Sequence, residues 1–331
     1  MTVLILAVMS AATMALQELF ILEQATIDTG REGFINLRDG NLQALTAAQL
    51  VALACAVLRI FLLPLLLLGA YMLVELVTGP PDRAGMNSRL IWAIQILFLS
   101  TAALVPYVFR ELGLVAPQPL FHVGRQSGPL ATLLITLPMF LVWLLLTDFL
   151  NYWLHRALHG VPFLWKFHRI HHSPRDLSVT HQVTHPVELF AQYLAIFIPA
   201  AFLLGVDAGQ LLVIGTLFAL HANLTHMNVP VEFGWFRYVV SDSRYHFVHH
   251  DRLARSDKNF AGIFPVFDVL FGTFRRPNAG PLPRTGLRDG SFPTRLKHYL
   301  LASWPVPAGP GTDSPRRVPS GDRPCLDPAG V

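Results

Sequence analysis

The sequence predicts an all-α integral membrane protein: about four transmembrane helices plus a membrane hairpin, capped by a histidine-rich helical domain. Three observations predict it. The 331 residues are 53% hydrophobic and only 14% charged, with a mean hydropathy of +0.46, where a soluble domain carries about 25% charged residues. The apolar residues gather in runs close to the roughly 20 residues that a spanning helix needs. Twelve of the fourteen histidines fall between His155 and His250, a density of polar rings that a purely apolar core would not take up unpaired.

Taken in order, Met1–Phe20 is the first candidate span, with Gln17 and Glu18 near its end. No basic segment precedes it, so it reads as a membrane helix rather than a cleaved signal. Gln49–Val77 is the second, interrupted by Arg59, whose cost in a bilayer calls for local pairing or helix distortion. Leu90–Phe109 is the third and Leu130–Tyr152 the fourth. Leu189–His221 is apolar for two short spans broken at Gly205-Val-Asp-Ala-Gly209, the pattern of a hairpin that enters the bilayer and returns to the same side. From about Pro277, Pro, Gly and Arg dominate, except in amphipathic Thr294–Trp304, which predicts an interfacial helix. Gly309–Val331 has the composition of a disordered tail. The chain thus divides into N-terminal helices and loops (1–128), a histidine-bearing domain (129–275) and a polar tail (276–331).

Charge sets the orientation. Residues 1–150 carry a net −2 and residues 151–331 a net +6. Arg83 and Arg89 follow the second span; Arg156, Lys166, Arg169 and Arg175 follow the fourth. With both groups in the cytoplasm, every histidine cluster falls at the cytoplasmic membrane face. A basic half suits anionic headgroups or an acidic partner, and no nucleic-acid module is visible. Cys55 and Cys325 are too few for a thiolate metal site or a disulfide framework.

The histidines recur at helical spacings: His155 and His159; His168, His171 and His172; His246, His249 and His250. Positions i, i+3 and i+4 share a helix face, so each trio is expected to aim its imidazoles at a common point. His185, His221 and His226 lie between them in sequence and join the expected ligand set. One zinc-type site takes about four ligands, so this many rings fit two metals. An all-nitrogen set suits iron, zinc, copper or nickel, and a dinuclear site that also binds O2 points to iron. Asp148, Glu188, Asn223, Asp242 and Asp268 are candidates for holding imidazole tautomers. His185 also stands where it would cap the helix begun by Pro186. His181 reads as a supporting or surface residue, and His122 and His298 lie outside the cluster.

The stretch from Asp148 through His155 and His159 to His168-Arg-Ile-His171-His172-Ser-Pro resembles the fatty acid hydroxylase/sterol desaturase superfamily. So do His185-Pro-Val-Glu188, His221-Ala-Asn223, His246-Phe-Val-His249-His250, Asp257-Lys-Asn-Phe and Phe267-Asp268-Val-Leu-Phe-Gly272-Thr273, in family order over about residues 145–275. Val183 stands where the family often has Arg, and Phe260 where Tyr is frequent. The resemblance implies a membrane-bound non-haem enzyme with two Fe ions, using O2 and two electrons to hydroxylate or desaturate an unactivated C–H bond of a lipid. Sterol, fatty acyl, carotenoid and alkyl-ether substrates all stay open. The electrons would come from a separate protein, cytochrome b5-like or a ferredoxin/reductase pair, since no haem or flavin module is visible. The alternative is a membrane metal-binding or metal-transport protein without redox catalysis, which would line its spans with ionisable groups. A zinc protease fits worst, because Arg156 replaces the Glu of a His-Glu-x-x-His motif.

Overall fold

A computed structural model describes residues 29, 32–33, 35–78, 89–98, 101, 120–122, 135, 137–175, 177–181, 183–205, 218, 220–252, 257–278 and 280–304. The expected first span, half of the third, Arg83, the 206–217 part of the hairpin and the tail from 305 lie outside them, as do the side chains of Cys55, Arg59, His122 and His181. The described chain is mostly helical. Its helices are α1 (Ala47–Thr78), α2 (Arg89–Phe98), α3 (Leu137–Gly160), α4 (Pro162–His168), α5 (Pro186–Leu203), α6 (residues 220–226), α7 (Ser243–His249), α8 (Val266–Leu270) and α9 (Leu296–Leu300). Phe121–His122 and Leu204–Gly205 pair as a minimal parallel sheet.

The helix that carries the first histidines, α3, begins in an uninterrupted apolar run and ends at Gly160. Val161, extended as residues before proline prefer to be, turns the chain into α4, whose Pro162 needs no amide donor in a first turn. α5 is the one apolar stretch among the described residues long enough to cross a membrane, with mean hydropathy 1.6 and 22% of it buried. Its length of about 27 Å approaches the thickness of a hydrocarbon core. Its middle widens into a π-turn at Tyr193–Phe197. Pro199, just beyond, lacks the N–H that a regular helix would use there.

Small apolar clusters fix these helices around the histidines. Tyr71 of α1 packs with Leu220 and Leu224 of α6 and donates its hydroxyl to Leu220 O at 2.8 Å. Trp143 and Leu144 of α3 meet Ala200 of α5, Leu204 just beyond it, and Ile263. Leu90 and Ile94 of α2 join Ile170, Val183, Tyr299, Ala302 and Trp304. This last cluster changes the reading of Thr294–Trp304. Leu296, Leu300 and Leu301 are exposed, but Tyr299 and Trp304 are inserted into the core, so the segment is docked on the protein.

Candidate metal centre

Nine histidines converge, in two adjoining groups. His155, His159, His168, His172 and His249 form a first compartment, and His171, His226, His246 and His250 a second; within each, the ligand-capable nitrogens lie within 4.8 Å of one another. α3 presents His155 and His159 four residues apart, and α6 contributes His226. α4 ends at His168, so His171 and His172 sit in the tight turns that follow, with His171 N–H on His168 O. α7 carries His246 and His249, and His250 closes its C-terminus. The expectation that each trio meets at one point is corrected. His168 and His172 enter the first compartment while His171 enters the second. His246 and His250 enter the second while His249 crosses to the first. Adjacent helical residues diverge by about 100°, so His249 and His250 face different ways.

The hydrogen bonds of the rings test whether metal ions fit. A backbone carbonyl only accepts, so a ring nitrogen bonded to one carries the proton. This assigns Nδ1–H to His155 on Phe260 O (2.7 Å), His171 on Val183 O (3.2 Å), His226 on Ala222 O (2.7 Å) and His249 on Lys258 O (2.8 Å). Their Nε2 atoms are then bare lone pairs. Yet the Nε2 atoms of His226 and His171 face each other at 3.3 Å, those of His246 and His226 at 3.0 Å, and those of His250 and His246 at 3.0 Å. In the first compartment His172 Nε2 lies 3.2 Å from His168 Nε2 and 3.1 Å from His249 Nε2, and the buried Nε2 atoms of His155 and His159 have no hydrogen-bond partner. For His171 and His226 two bare lone pairs meet, and they repel unless a cation sits between them. Metal–nitrogen bonds of about 2.0–2.1 Å set neighbouring ligand nitrogens about 2.9–3.4 Å apart, the range seen. The donor set fits a metal in each compartment.

Burial adds to this. Desolvation of the charged form holds all nine imidazoles below their ordinary range, His171 down to about 3 and His226 to about 4. The rings are therefore neutral at physiological pH, the form that ligates metals.

The carboxylates named from the sequence divide by task. Glu188 Oε1 lies 3.1 Å from His168 Nδ1, and Glu188 is buried. Asp148 touches no imidazole: it accepts the N–H groups of Gly262, Ile263 and Phe264 at 2.7–3.0 Å. Asp268 accepts those of Phe260 and Ala261, both at 2.8 Å, and hydroxyls of Thr273 and Tyr245. These two carboxylates clamp the loop whose Lys258 and Phe260 carbonyls hold His249 and His155. Asp242 caps α7, accepting Tyr245 N–H at 3.0 Å. Asn223 is partly buried in α6, three residues before His226. Sequence reasoning missed Asp257, whose Oδ1 is 3.5 Å from His159 Nδ1, and the four backbone carbonyls, which no side-chain pattern announces.

Two expected ligands lie elsewhere. His185 Nδ1 accepts Val187 N–H at 3.1 Å, capping α5, and its Nε2 lies 3.2 Å from Leu300 O. His221 Nε2 lies 2.8 Å from Ser241 Oγ and 3.2 Å from Gly262 O. Both rings are committed outside the two compartments.

Fold and site together define a helical protein with a buried, histidine-lined cluster able to bind metal. Residues 140–273 match the family model for fatty acid hydroxylase. The chain is similar to a very-long-chain aldehyde decarbonylase of Oryza sativa subsp. japonica (31% identity, covering 50% of this chain and 56% of that protein). It is also similar to the alkylglycerol monooxygenase of Homo sapiens (29%; 47% and 36%) and to an ornithine lipid hydroxylase of Rhizobium tropici (33%; 50% and 48%). The chain thus spans between about a third and three-fifths of these relatives' own length. No solved structure matches it. Over residues 140–273 the chain thus resembles the fatty acid hydroxylase family.

Proposed function

We propose that the protein is a membrane-bound non-haem di-iron oxygenase that hydroxylates an unactivated C–H bond of a lipid, with desaturation as the variant outcome at the same centre. The observation that carries the reading is the convergence of nine imidazoles, seven of them on buried residues, in two adjoining groups. Relatives named for aldehyde decarbonylation, alkylglycerol monooxygenation and ornithine lipid hydroxylation support it.

Bound iron would supply the reduction of O2 and an oxidising power that no side chain has. In hydroxylation one oxygen atom enters the C–H bond and the other leaves as water, consuming two electrons and two protons. The chain's own residues do the rest. His155, His159, His168, His172 and His249 would hold one ion, and His171, His226, His246 and His250 the other. The carbonyls of Phe260, Val183, Ala222 and Lys258 keep protons on Nδ1, so that Nε2 is free to ligate. Phe260, buried against His155 and His249 and packed with Tyr152 and Ala261, keeps water from the rings. In this reading the centre lies at the cytoplasmic membrane face, where a lipid tail reaches it from the bilayer; the apolar length of α5 supports this. Electrons come from a separate acidic carrier docked on the basic half of the chain; a coupling that weakens as salt rises supports that docking, and a salt-independent one opposes it.

The test is metal analysis and Mössbauer spectroscopy of detergent-purified protein grown on iron-57. Two irons per chain, with O2-dependent lipid oxidation when an electron donor is added, support the reading. Stoichiometric zinc after growth with ample iron, and no such turnover, overturns it.

A further inference from the structure

Residues 284–304 lie beyond the family-matched stretch and fold back as a strap over the two histidine trios. Arg252 N–H donates to Arg284 O at 2.8 Å, and Asp251 pairs with Thr285 in an antiparallel bridge. The buried Thr285 hydroxyl is shared between Pro174 O at 3.1 Å and Arg175 O at 2.9 Å. Farther along, Arg175 Nη2 donates to Gly290 O at 2.8 Å, and Arg169 donates to Ser291 Oγ while its guanidinium covers the Trp304 ring at 4.3 Å.

Thr285 has a particular place in this. Pro174 comes two residues after His172, and Asp251 directly after His250. One buried residue therefore joins the two exits: its hydroxyl holds the chain leaving the first trio, and its backbone bridges to the chain leaving the second. Those exits belong to the two rings that stack on each other across the compartments, His172 and His250. The neighbouring Gly286 shows how close the joint is. Its φ is +105°, and a Cβ there would stand 3.3 Å from Arg175 Cα, so only glycine sits without strain. Gly286 to Asp289 also wall a cleft of about 500 Å³ whose lining includes Trp165, His172 and His250.

We propose that Thr285 is a positioning residue of the metal centre: by tying the exit of His172 to the exit of His250, it sets the separation of the two compartments. It touches neither group of rings. The inference rests on the di-iron reading above.

The experiment compares the full-length protein, loaded with iron-57, with T285V, T285S and G286A by X-ray absorption and Mössbauer spectroscopy. T285V keeps the shape of threonine and loses the hydroxyl. It is expected to retain two irons per chain while the iron–iron distance lengthens or splits into two populations; T285S restores the wild-type signature. G286A, which pushes the strap away from Arg175, is expected to alter the same signature, and it carries the test if T285V does not fold. A T285V or G286A protein with the wild-type iron–iron distance and Mössbauer spectrum overturns the inference. Wild-type protein that holds no iron pair instead overturns the reading on which it rests.

Discussion

His172 and His250 lie ring on ring, centroids 4.3 Å apart and planes within 25°, yet their Nε2 atoms point into different compartments. His172 Nε2 meets His168 and His249; His250 Nε2 meets His246. The stacked pair is thus the partition between the two groups of rings, and each trio supplies imidazoles to both sides of it. Cross-supply makes the two compartments geometrically dependent on each other while leaving each with its own ligand set.

That division predicts separable metal losses. His249→Ala removes a ring from the first compartment and His246→Ala one from the second, so each variant is expected to fall from about two metals per chain to about one, the reach of a single tetrahedral-type ligand set. Elemental analysis after gel filtration reads the outcome. Loss of both ions from either variant would show that the compartments fill only as a unit.

His185→Ala separates a cap from a ligand. Because Nδ1 accepts Val187 N–H and Nε2 lies on Leu300 O, the change is expected to leave metal content unchanged. It should cost about 0.5–2 kcal/mol through the lost helix cap, and His185→Asn should restore much of this. Thermal unfolding in detergent beside metal analysis decides it; a missing metal in His185→Ala would return this residue to the ligand set.

Some of this was legible in the sequence and some was not. The apolar runs and the histidine-rich stretch are visible in composition and spacing, and the rings of His155, His159 and both trios gather in two adjoining groups. Spacing did not reveal how the trios split, because i, i+3 and i+4 specify a face but not which partner each ring meets. Helical periodicity also failed between His168 and His172, where α4 has already ended. Asp148 and Asp242 look like imidazole partners on paper. In the fold they hold backbone amides, a role set by chain segments more than a hundred residues away for Asp148. His221 looked like a ligand because its sequence neighbours fit, but Ser241 and Gly262 occupy its ring.

Chelated protein is expected to lose stability as pH falls. The nine imidazoles have folded-state values below their ordinary one, with His226 at about 4 and His171 at about 3. Between about 6.5 and those values the unfolded chain binds protons that the folded chain refuses, so unfolding is increasingly favoured in that window. Above about pH 7 neither state is protonated and the effect vanishes. Melting temperatures of metal-free protein from pH 7.5 down to pH 5 should decline, with a shallower decline for His226→Gln. A flat profile would mean that the rings are hydrated, not buried.

The clamp on the 258–264 loop should govern one compartment selectively. Asp268 fixes the amides of Phe260 and Ala261, and Asp148 those of Gly262 to Phe264. The carbonyl of Phe260 that holds His155 lies within this anchored stretch, and that of Lys258, which holds His249, just before it, both rings being of the first compartment; among the described residues no ring of the second compartment is bonded to a carbonyl of this loop. Asp268→Asn turns an acceptor into a partial donor facing two amide hydrogens, and is expected to cost on the order of 3 kcal/mol. Gly262→Ala brings a Cβ to 2.9 Å from Asp148 Oδ1 and should cost about 1–3 kcal/mol by overpacking. In both variants the loop shifts, His155 and His249 lose their fixed orientation, and affinity for one metal per chain is expected to drop about 10–100-fold while the other is retained. Competition with a graded series of chelators resolves the two ions. Equal weakening of both would place the loop's influence on the whole fold and not on the rings it holds.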